Sequence, residues 1–313
     1  MRFGILGEAK IAREWVAPAI LEAGHEISHI GRRKPGKKVL PEIYNSTFEV
    51  GYEELLSDAS IDAIYIPLPN HLHVPYSIKA LKAGKHVLCE KPVALTLEEL
   101  TELKSVASDS DCYFQEAYMI EHHPQWHWLK GVDIGNIKSA QVIFSYPPQP
   151  EGNYRNVEGF GGGPLYDIGC YAILAGCLVF GGTPEVLSAE SKLNNRLGIE
   201  SQIDATLRWP NGEVLSFFVS SEAALCQSLL LLGDGGWAKL NVPFNPPKVT
   251  HSYWSKGGLD MGEQISFPSC NQYKLMVDDF VTKASTGERS NFEVSLIVTK
   301  TINEIQRKCC LRI

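Results

Sequence analysis

The chain has little of several things that would classify it at once. Positive charge is not in excess: 29 Lys and Arg stand against 36 Asp and Glu, a formal net charge of -7. The basic footprint needed to bind a phosphate backbone is missing, which excludes nucleic acid as a partner. Long apolar runs are also lacking, since the longest, Ala172 to Phe180, is about half of the roughly 20 residues a membrane span requires. No membrane association is expected. The N-terminus, MRFGILG, shows no charged region followed by an apolar block and a cleavage site. The eight cysteines are scattered, without a CxxC pair or regular spacing. Both features lead to the expectation of a reduced, cytoplasmic protein.

What is present is a chain of 313 residues, 44% hydrophobic and 21% charged, a globular composition of a length that suits two domains. Its first third alternates short apolar runs with amphipathic stretches. Strands are predicted near Arg2 to Leu6, Glu26 to Ile30, Ala63 to Pro67, His86 to Glu90 and Cys112 to Glu116, with helices beginning near Ala9, Gly51, Val74 and Thr96. That alternation predicts a doubly wound parallel sheet of the Rossmann type over residues 1–119. Thr96 with Glu99 reads as a capping box, and Ala83-Gly84-Lys85 as a helix end with glycine in the cap region.

From about Ile137 longer strands follow without intervening helices: Ser139 to Phe144, Val186 to Ser191, Gln202 to Trp209, Val214 to Ser220 and Ser228 to Leu232. Pro210-Asn211-Gly212 reads as a hairpin turn. A second, α+β domain over 120–313, with a large and mostly antiparallel open sheet, is the expectation. One helix, Pro164 to Phe180, interrupts it, and two more near Tyr273 and Glu293 close the chain.

The first strand and turn read FGILGEAKIA, which puts the GxGxxG fingerprint of dinucleotide folds on Gly7, Ala9 and Ala12. Only the first glycine is there. The candidate cofactor turn is therefore Gly7, Glu8, Ala9, Lys10 and Ile11, with Lys10 expected to offset the Glu8 carboxylate. Without the name of any relative, an ordinary strand-turn-helix remains an open reading. The second strand ends in Gly31-Arg32-Arg33-Lys34 rather than in the Asp or Glu that holds the ribose of NAD. A guanidinium at Arg32 can fork onto a 2'-phosphate, so a bound dinucleotide is expected to be NADP, with NAD possible. A short basic run also reads as a solvated loop.

Two further stretches stand out. HVLCEKPVAL places Glu90, Lys91 and Pro92 at the end of an apolar strand, where ligands of open α/β sheets bind. In GGGPLYDIGCY, Pro164 suits a first helical turn, and Asp167 and Tyr171, four residues apart, share a face at 3.6 residues per turn. A carboxylate and a phenol together could grip and deprotonate a hydroxyl. The alternative is a core aromatic beside a first-turn charge favoured by the helix dipole. The cluster His122, His123 and His127 lacks a cysteine or zinc motif, and no metal site is expected.

Taken together, the fingerprint, IYIPLPNHLHVPYSIKALKAGKHVLCEKP and GGGPLYDIGCY resemble the glucose-fructose oxidoreductase / inositol dehydrogenase / MocA family. The resemblance implies a catalytic Lys91 near the nicotinamide, with Glu90 and Pro92 shaping the turn. It also implies a cofactor pocket lined by Pro69, Asn70 and His73, with Arg33 beside Arg32. Tyr171, where many members have histidine, resembles the branch of aldose (xylose) dehydrogenases and dimeric dihydrodiol dehydrogenase. Asn153-Tyr154-Arg155 is similar to that branch's NxR segment, and LRWPNGE with NVPFNPP to its later strands. In EAYMIEHHPQ, Glu121 replaces an arginine and His122 is added.

The implied activity is hydride transfer between NADP(H) and a cyclic sugar or related hydroxy or carbonyl compound. Catalysis would rest on Lys91, Tyr171 and Asp167, with Asn153 and Arg155 as substrate contacts. Cationic Lys91 would favour the Tyr171 phenolate, since a free phenol has a pKa near 10. Two rivals are an inactive cofactor-binding sensor and a redox-assisted lyase or glycosidase with a tightly held cofactor. A homodimer or homotetramer through the open sheet is also implied; the exposed face of its strands, with the alternation of Ile203, Ala205, Leu207 and Trp209, is compatible with burial on one side.

Overall fold

The computed structural model describes residues 1–36, 40–257 and 262–310. The chain divides into two units, 1–119 with 271–292 and 120–270 with 293–313. In the first unit six parallel strands, β1 Arg2–Leu6, β2 Glu26–Gly31, β3 Phe48–Val50, β4 Ala63–Ile66, β5 His86–Cys89 and β6 Phe114–Glu116, form a sheet of order β3-β2-β1-β4-β5-β6. β1, β4 and β5 are buried almost throughout, which is why they read as unbroken apolar runs rather than alternating ones. The order reverses between β1 and β4, which creates a crevice at the carboxyl ends of the strands.

Helices α1 Ala17–Glu22, α2 Tyr52–Ser57, α3 His73–Lys82 and α4 Leu97–Ser108 join these strands. The capping box forms as read: Glu99 N–H donates to Thr96 Oγ1 at 3.2 Å and Thr96 N–H to Glu99 Oε2 at 3.4 Å. Gly84 ends α3 at a φ of 74°, where its N–H meets the Leu81 carbonyl at 3.0 Å. A side chain strains that conformation.

The second unit adds helices α5 Pro124–Gly131 and α6 Cys170–Phe180 and eight strands: β7 Ile137–Ser145, β8 Glu185–Asn194, β9 Ile199–Arg208, β10 Val214–Ser220, β11 Cys226–Gly233, β12 Trp237–Leu240, β13 Thr250–Ser255 and β14 Glu263–Phe267. They pair in the order β14-β13-β12-β11-β7-β10-β9-β8, antiparallel except for the parallel pair β7 and β10. Ile203, Ala205, Leu207 and Trp209 are all buried, so that alternation marks the inner face of the sheet and not the exposed face expected from the sequence. Their outward neighbours are Gln202, Asp204, Thr206 and Arg208. Gly176 in α6 permits the close packing, because a Cβ there would fall 2.3 Å from the Trp209 ring. The helical stretch Glu158–Phe180 is long and apolar enough to cross a membrane, but 72% of its apolar window is buried inside the protein, as a core helix is.

Two further sequence expectations need correction. NVPFNPP, residues 241–247, is an irregular connection rather than a strand, its three prolines removing the donors a ladder needs. A single boundary after Met119 also assigns the second-last segment, 271–292, wrongly. Helix α7 Gln272–Thr286 returns to the first unit, where Phe280 packs against Phe3 and Tyr113, while the last helix, α8 Glu293–Cys310, belongs to the second.

Candidate active site

In the first unit the polar groups gather at the carboxyl ends of the parallel strands. Gly7 ends β1 at a φ of 104°, its N–H held by the Gly31 carbonyl at 2.9 Å, and a Cβ there would meet Leu68 at 2.9 Å. Glycine is required by both the turn and the contact. Glu8 does not pair with Lys10 as expected. It meets Arg32 at 3.0 Å, while the exposed Lys10 pairs with Glu14 at 3.7 Å. The helix after the turn opens with a π-helical stretch, Ala12–Val16, on the buried Ala12, and Ala9 and Ile11 lie half-buried before it. Arg33 and Lys34 are exposed, whereas Arg32 is buried.

The end of β5 is tied to the end of β4. Glu90 accepts a hydrogen bond from the Tyr65 hydroxyl at 2.7 Å, and Lys91 N–H reaches its other oxygen at 3.3 Å. The Tyr65 phenol is pushed well up, by burial first and then by the Glu90 charge. Pro69 and the buried Asn70 open a short 3-10 turn. His73, one turn on, lies 2.8 Å from the Pro92 carbonyl and 2.7 Å from that of Leu68. Pro92 follows a cis peptide, and Val93 N–H is held by Glu116 at 2.9 Å. Lys91 is thus the half-exposed member of a turn whose flanks are fixed.

In the second unit the loop 153–163 and the start of the long helix form one constellation. Asn153 Oδ1 accepts the Arg155 N–H at 3.0 Å, and Arg155 Nε donates to Asp167 Oδ2 at 2.7 Å. The guanidinium also lies 4.7 Å from the Tyr154 ring centre. The Asp167 charge raises the pKa of Arg155 further, which burial opposes. The glycine run is what allows this approach: a Cβ on Gly162 would fall 2.6 Å from the Val157 carbonyl and 2.7 Å from that of Arg155.

Asp167 lies in a π-helical turn, Leu165–Gly169, and Tyr171 in the α-helix after it, so the 3.6-residue spacing assumed from sequence does not hold between them. Both are buried. Tyr171 packs in an aromatic cluster, 6.1 Å from the Phe144 ring and 5.5 Å from Phe244, which stack on each other at 4.9 Å.

Sequence reasoning missed Tyr146 and Glu49. Burial, and then the Asp167 carboxylate, pushes the Tyr146 phenol strongly up. Nothing in its neighbourhood, a strand end before Pro147-Pro148, signals a site. His123 Nδ1 accepts the Gln125 N–H at 3.1 Å and so caps α5, while His127 meets the Glu121 carbonyl at 3.1 Å. Among the described residues no group of three His, Cys, Asp or Glu side chains is placed to hold a metal.

A doubly wound sheet with a glycine turn at its first strand, joined to a unit that presents a buried carboxylate and phenol from one helix, defines a dinucleotide-dependent oxidoreductase. Residues 1–118 match the oxidoreductase family described by its NAD-binding Rossmann fold, and residues 127–239 match the GFO/IDH/MocA C-terminal domain. The chain belongs to the Gfo/Idh/MocA oxidoreductase family. It is 36% identical to an uncharacterized oxidoreductase of Rhizobium meliloti, over 98% of this chain and 96% of that one. It is 31% identical to a D-xylose 1-dehydrogenase (NADP(+)) of Haloferax volcanii, over 97% and 96%. The structure superposes with a TM-score of 0.90 and 28% identity on a 3-ketoreductase from Actinomadura kijaniata in complex with NADP and TDP-benzene, covering 99% and 98% of the two chains.

The residues present fit a dinucleotide. The left-handed Gly7 turn leaves its following N–H groups ahead of a helix, the arrangement that receives a pyrophosphate. Beside Glu8 the buried Tyr44 hydroxyl has no hydrogen-bond partner among the described residues, a polar atom that a ligand or water would satisfy.

Proposed function

We propose that this protein is an NADP-dependent oxidoreductase acting on the CH-OH group of a cyclic sugar, or on the related carbonyl in the reverse direction. The observation that carries the sugar assignment is the buried Asp167 carboxylate, fixed by Arg155 at 2.7 Å in the turn before Tyr171. A carboxylate held in one orientation can accept a hydrogen bond from a substrate hydroxyl and align it. When bound, the nicotinamide ring supplies or accepts the hydride at its C4.

The chain's own groups do the rest. Tyr171 takes the hydroxyl proton as a carbonyl forms, or returns it as a carbonyl is reduced. Asp167 orients the reacting hydroxyl, and Asn153 and Arg155 contact its neighbours. Lys91, on a turn fixed by His73 and Glu90, supplies positive charge at the carboxyl end of β5, on the cofactor side. Gly7, Glu8, Ala9, Lys10, Ile11, Arg32, Arg33, Pro69, Asn70, His73 and Glu90 make up the cofactor side. We also place the protein in the cytoplasm and its self-association on the outward face of the eight-stranded sheet, where Ile143, Thr206, Ser216 and Phe218 are uncharged and only half-buried.

Fluorescence titration with NADP and NAD, followed by an absorbance screen at the nicotinamide band against aldoses and dicarbonyls, tests this reading. Saturable binding with a net absorbance change supports it. Binding with no turnover of any kind would point to a sensor, and turnover without net absorbance change to an internally recycled cofactor.

A further inference from the structure

The acid that NAD enzymes carry at the end of the second strand is missing from β2, but one stands beside it on β3. The register pairs Ile30 with Glu49 and Gly31 with Val50, and Arg32 N–H donates to the Val50 carbonyl at 2.9 Å. Glu49 therefore comes from the adjacent strand to the place where the ribose acid is expected. Its Oε1 accepts from Arg32 Nη1 at 2.9 Å and from the Gly36 N–H at 2.8 Å. Arg32 Nη2 meets Glu8 Oε2 at 3.0 Å. The Arg32 side chain is only 10% exposed and that of Glu49 20%.

This geometry bears on the cofactor. A guanidinium recognises a 2'-phosphate by presenting two N–H groups to it, and here carboxylates occupy both arms of the fork. A phosphate arriving at Arg32 competes with both carboxylates for the guanidinium, and sits against a like charge unless one of them moves away. A 2'-hydroxyl meets no such conflict, because it can donate to Glu49 with Arg32 left where it is.

We propose that Glu49 is the residue that sets the choice between NAD and NADP. It accepts the ribose 2'-hydroxyl of NAD while holding Arg32, and releases Arg32 to the 2'-phosphate of NADP, so the protein accepts both cofactors. The proposal rests on the dinucleotide reading above and extends it to the adenosine end.

Calorimetric or fluorescence titration of the whole protein with NADP, NAD, adenosine 2',5'-bisphosphate and AMP tests it without reference to turnover. The wild-type protein is expected to bind NADP and NAD with affinities within about thirtyfold of each other. Glu49→Gln keeps an acceptor for Gly36 but removes the charge; it is expected to tighten NADP and the bisphosphate by about tenfold while NAD and AMP change by less than about threefold. A wild-type preference for NADP beyond about a thousandfold would overturn the proposal with no variant needed. So would an unchanged NADP to NAD ratio in Glu49→Gln, with the dinucleotide reading intact. If neither cofactor binds the wild-type protein, the dinucleotide reading and this proposal fall together.

Discussion

The imidazole of His73 lies 2.8 Å from the carbonyl oxygen of Pro92, the residue after Lys91. Its other nitrogen lies 2.7 Å from the Leu68 carbonyl, so one ring bridges the ends of two parallel strands. Two carbonyl acceptors favour a doubly protonated ring, but burial outweighs them and pushes the pKa of His73 down to about 4. An unfolded histidine takes its proton near 6.5. Between pH 6.5 and 4 the unfolded chain holds a proton that the folded one lacks, so stability falls as pH falls through that window, and this contribution levels off below about 4. Chemical denaturation across the range is expected to show a slope of up to about 1.4 kcal/mol per pH unit from this residue. His73→Asn is expected to flatten it, and a pH dependence identical to wild type would refute the assignment.

Tyr171→Phe removes one oxygen from a buried aromatic cluster and leaves the ring contacts with Phe144 and Phe244 in place. On an identified substrate kcat is expected to fall by about two to four orders of magnitude, with NADP affinity within about threefold of wild type. Lys91→Ala is expected to behave in the same way. Steady-state kinetics with a parallel cofactor titration separates the two quantities, and wild-type turnover in Tyr171→Phe would remove it from the mechanism.

Arg155→Met leaves the buried Asp167 carboxylate without its ion pair. Breaking a buried pair from one side costs about 3 to 5 kcal/mol, but Arg155 is 32% exposed, and solvent screening reduces the expected loss to about 2 kcal/mol. KM for the sugar is expected to rise more than kcat falls, as suits a residue that aligns the substrate. Urea denaturation and saturation kinetics check the two halves of this expectation.

Gly162→Ala probes the glycine run directly. All three close contacts of the new methyl would be backbone atoms, the carbonyl oxygens of Val157 and Arg155 and the nitrogen of Val157, which cannot rotate away as a side chain end can. The substitution is expected to cost about 1 to 3 kcal/mol and to displace the Arg155 segment, weakening substrate binding without affecting a titration with NADP. Unchanged stability and KM would show that the loop adjusts freely.

Much of this was legible in the sequence because it is local. The buried strands β1, β4 and β5 declare themselves as apolar runs, the Thr96 capping box by its three-residue spacing, and the Pro210 to Gly212 turn by composition. What was not legible depends on partners distant in sequence. β3 has three residues, one of them Glu49, too short a stretch for a periodicity. The pairing of Arg32 with Glu49 spans 17 positions, so the basic run at 31–34 gave no hint that its first arginine is already engaged. The set Ile203 to Trp209 was assigned to the exposed face of the sheet although all four are buried, since period two alone does not say which face meets the core. The π-helical turn at Asp167 has no sequence signature beyond Gly169, where a Cβ would fall 2.9 Å from Leu165.

The return of α7 to the first unit sets an order on the protein's birth. A ribosome that has just released Met119 has made all six strands of the parallel sheet, but not Phe280, which packs on Phe3 and Tyr113, nor Phe292, which stacks on Phe114 at 5.0 Å. Those residues reach the nascent sheet only after all eight strands of the second unit have emerged between them. At the usual rate of about 5 to 20 residues per second, the apolar back of the sheet waits roughly 10 to 30 seconds for its cover. During that interval Phe3, Tyr113 and Phe114 lack the aromatic neighbours that cover them in the finished protein.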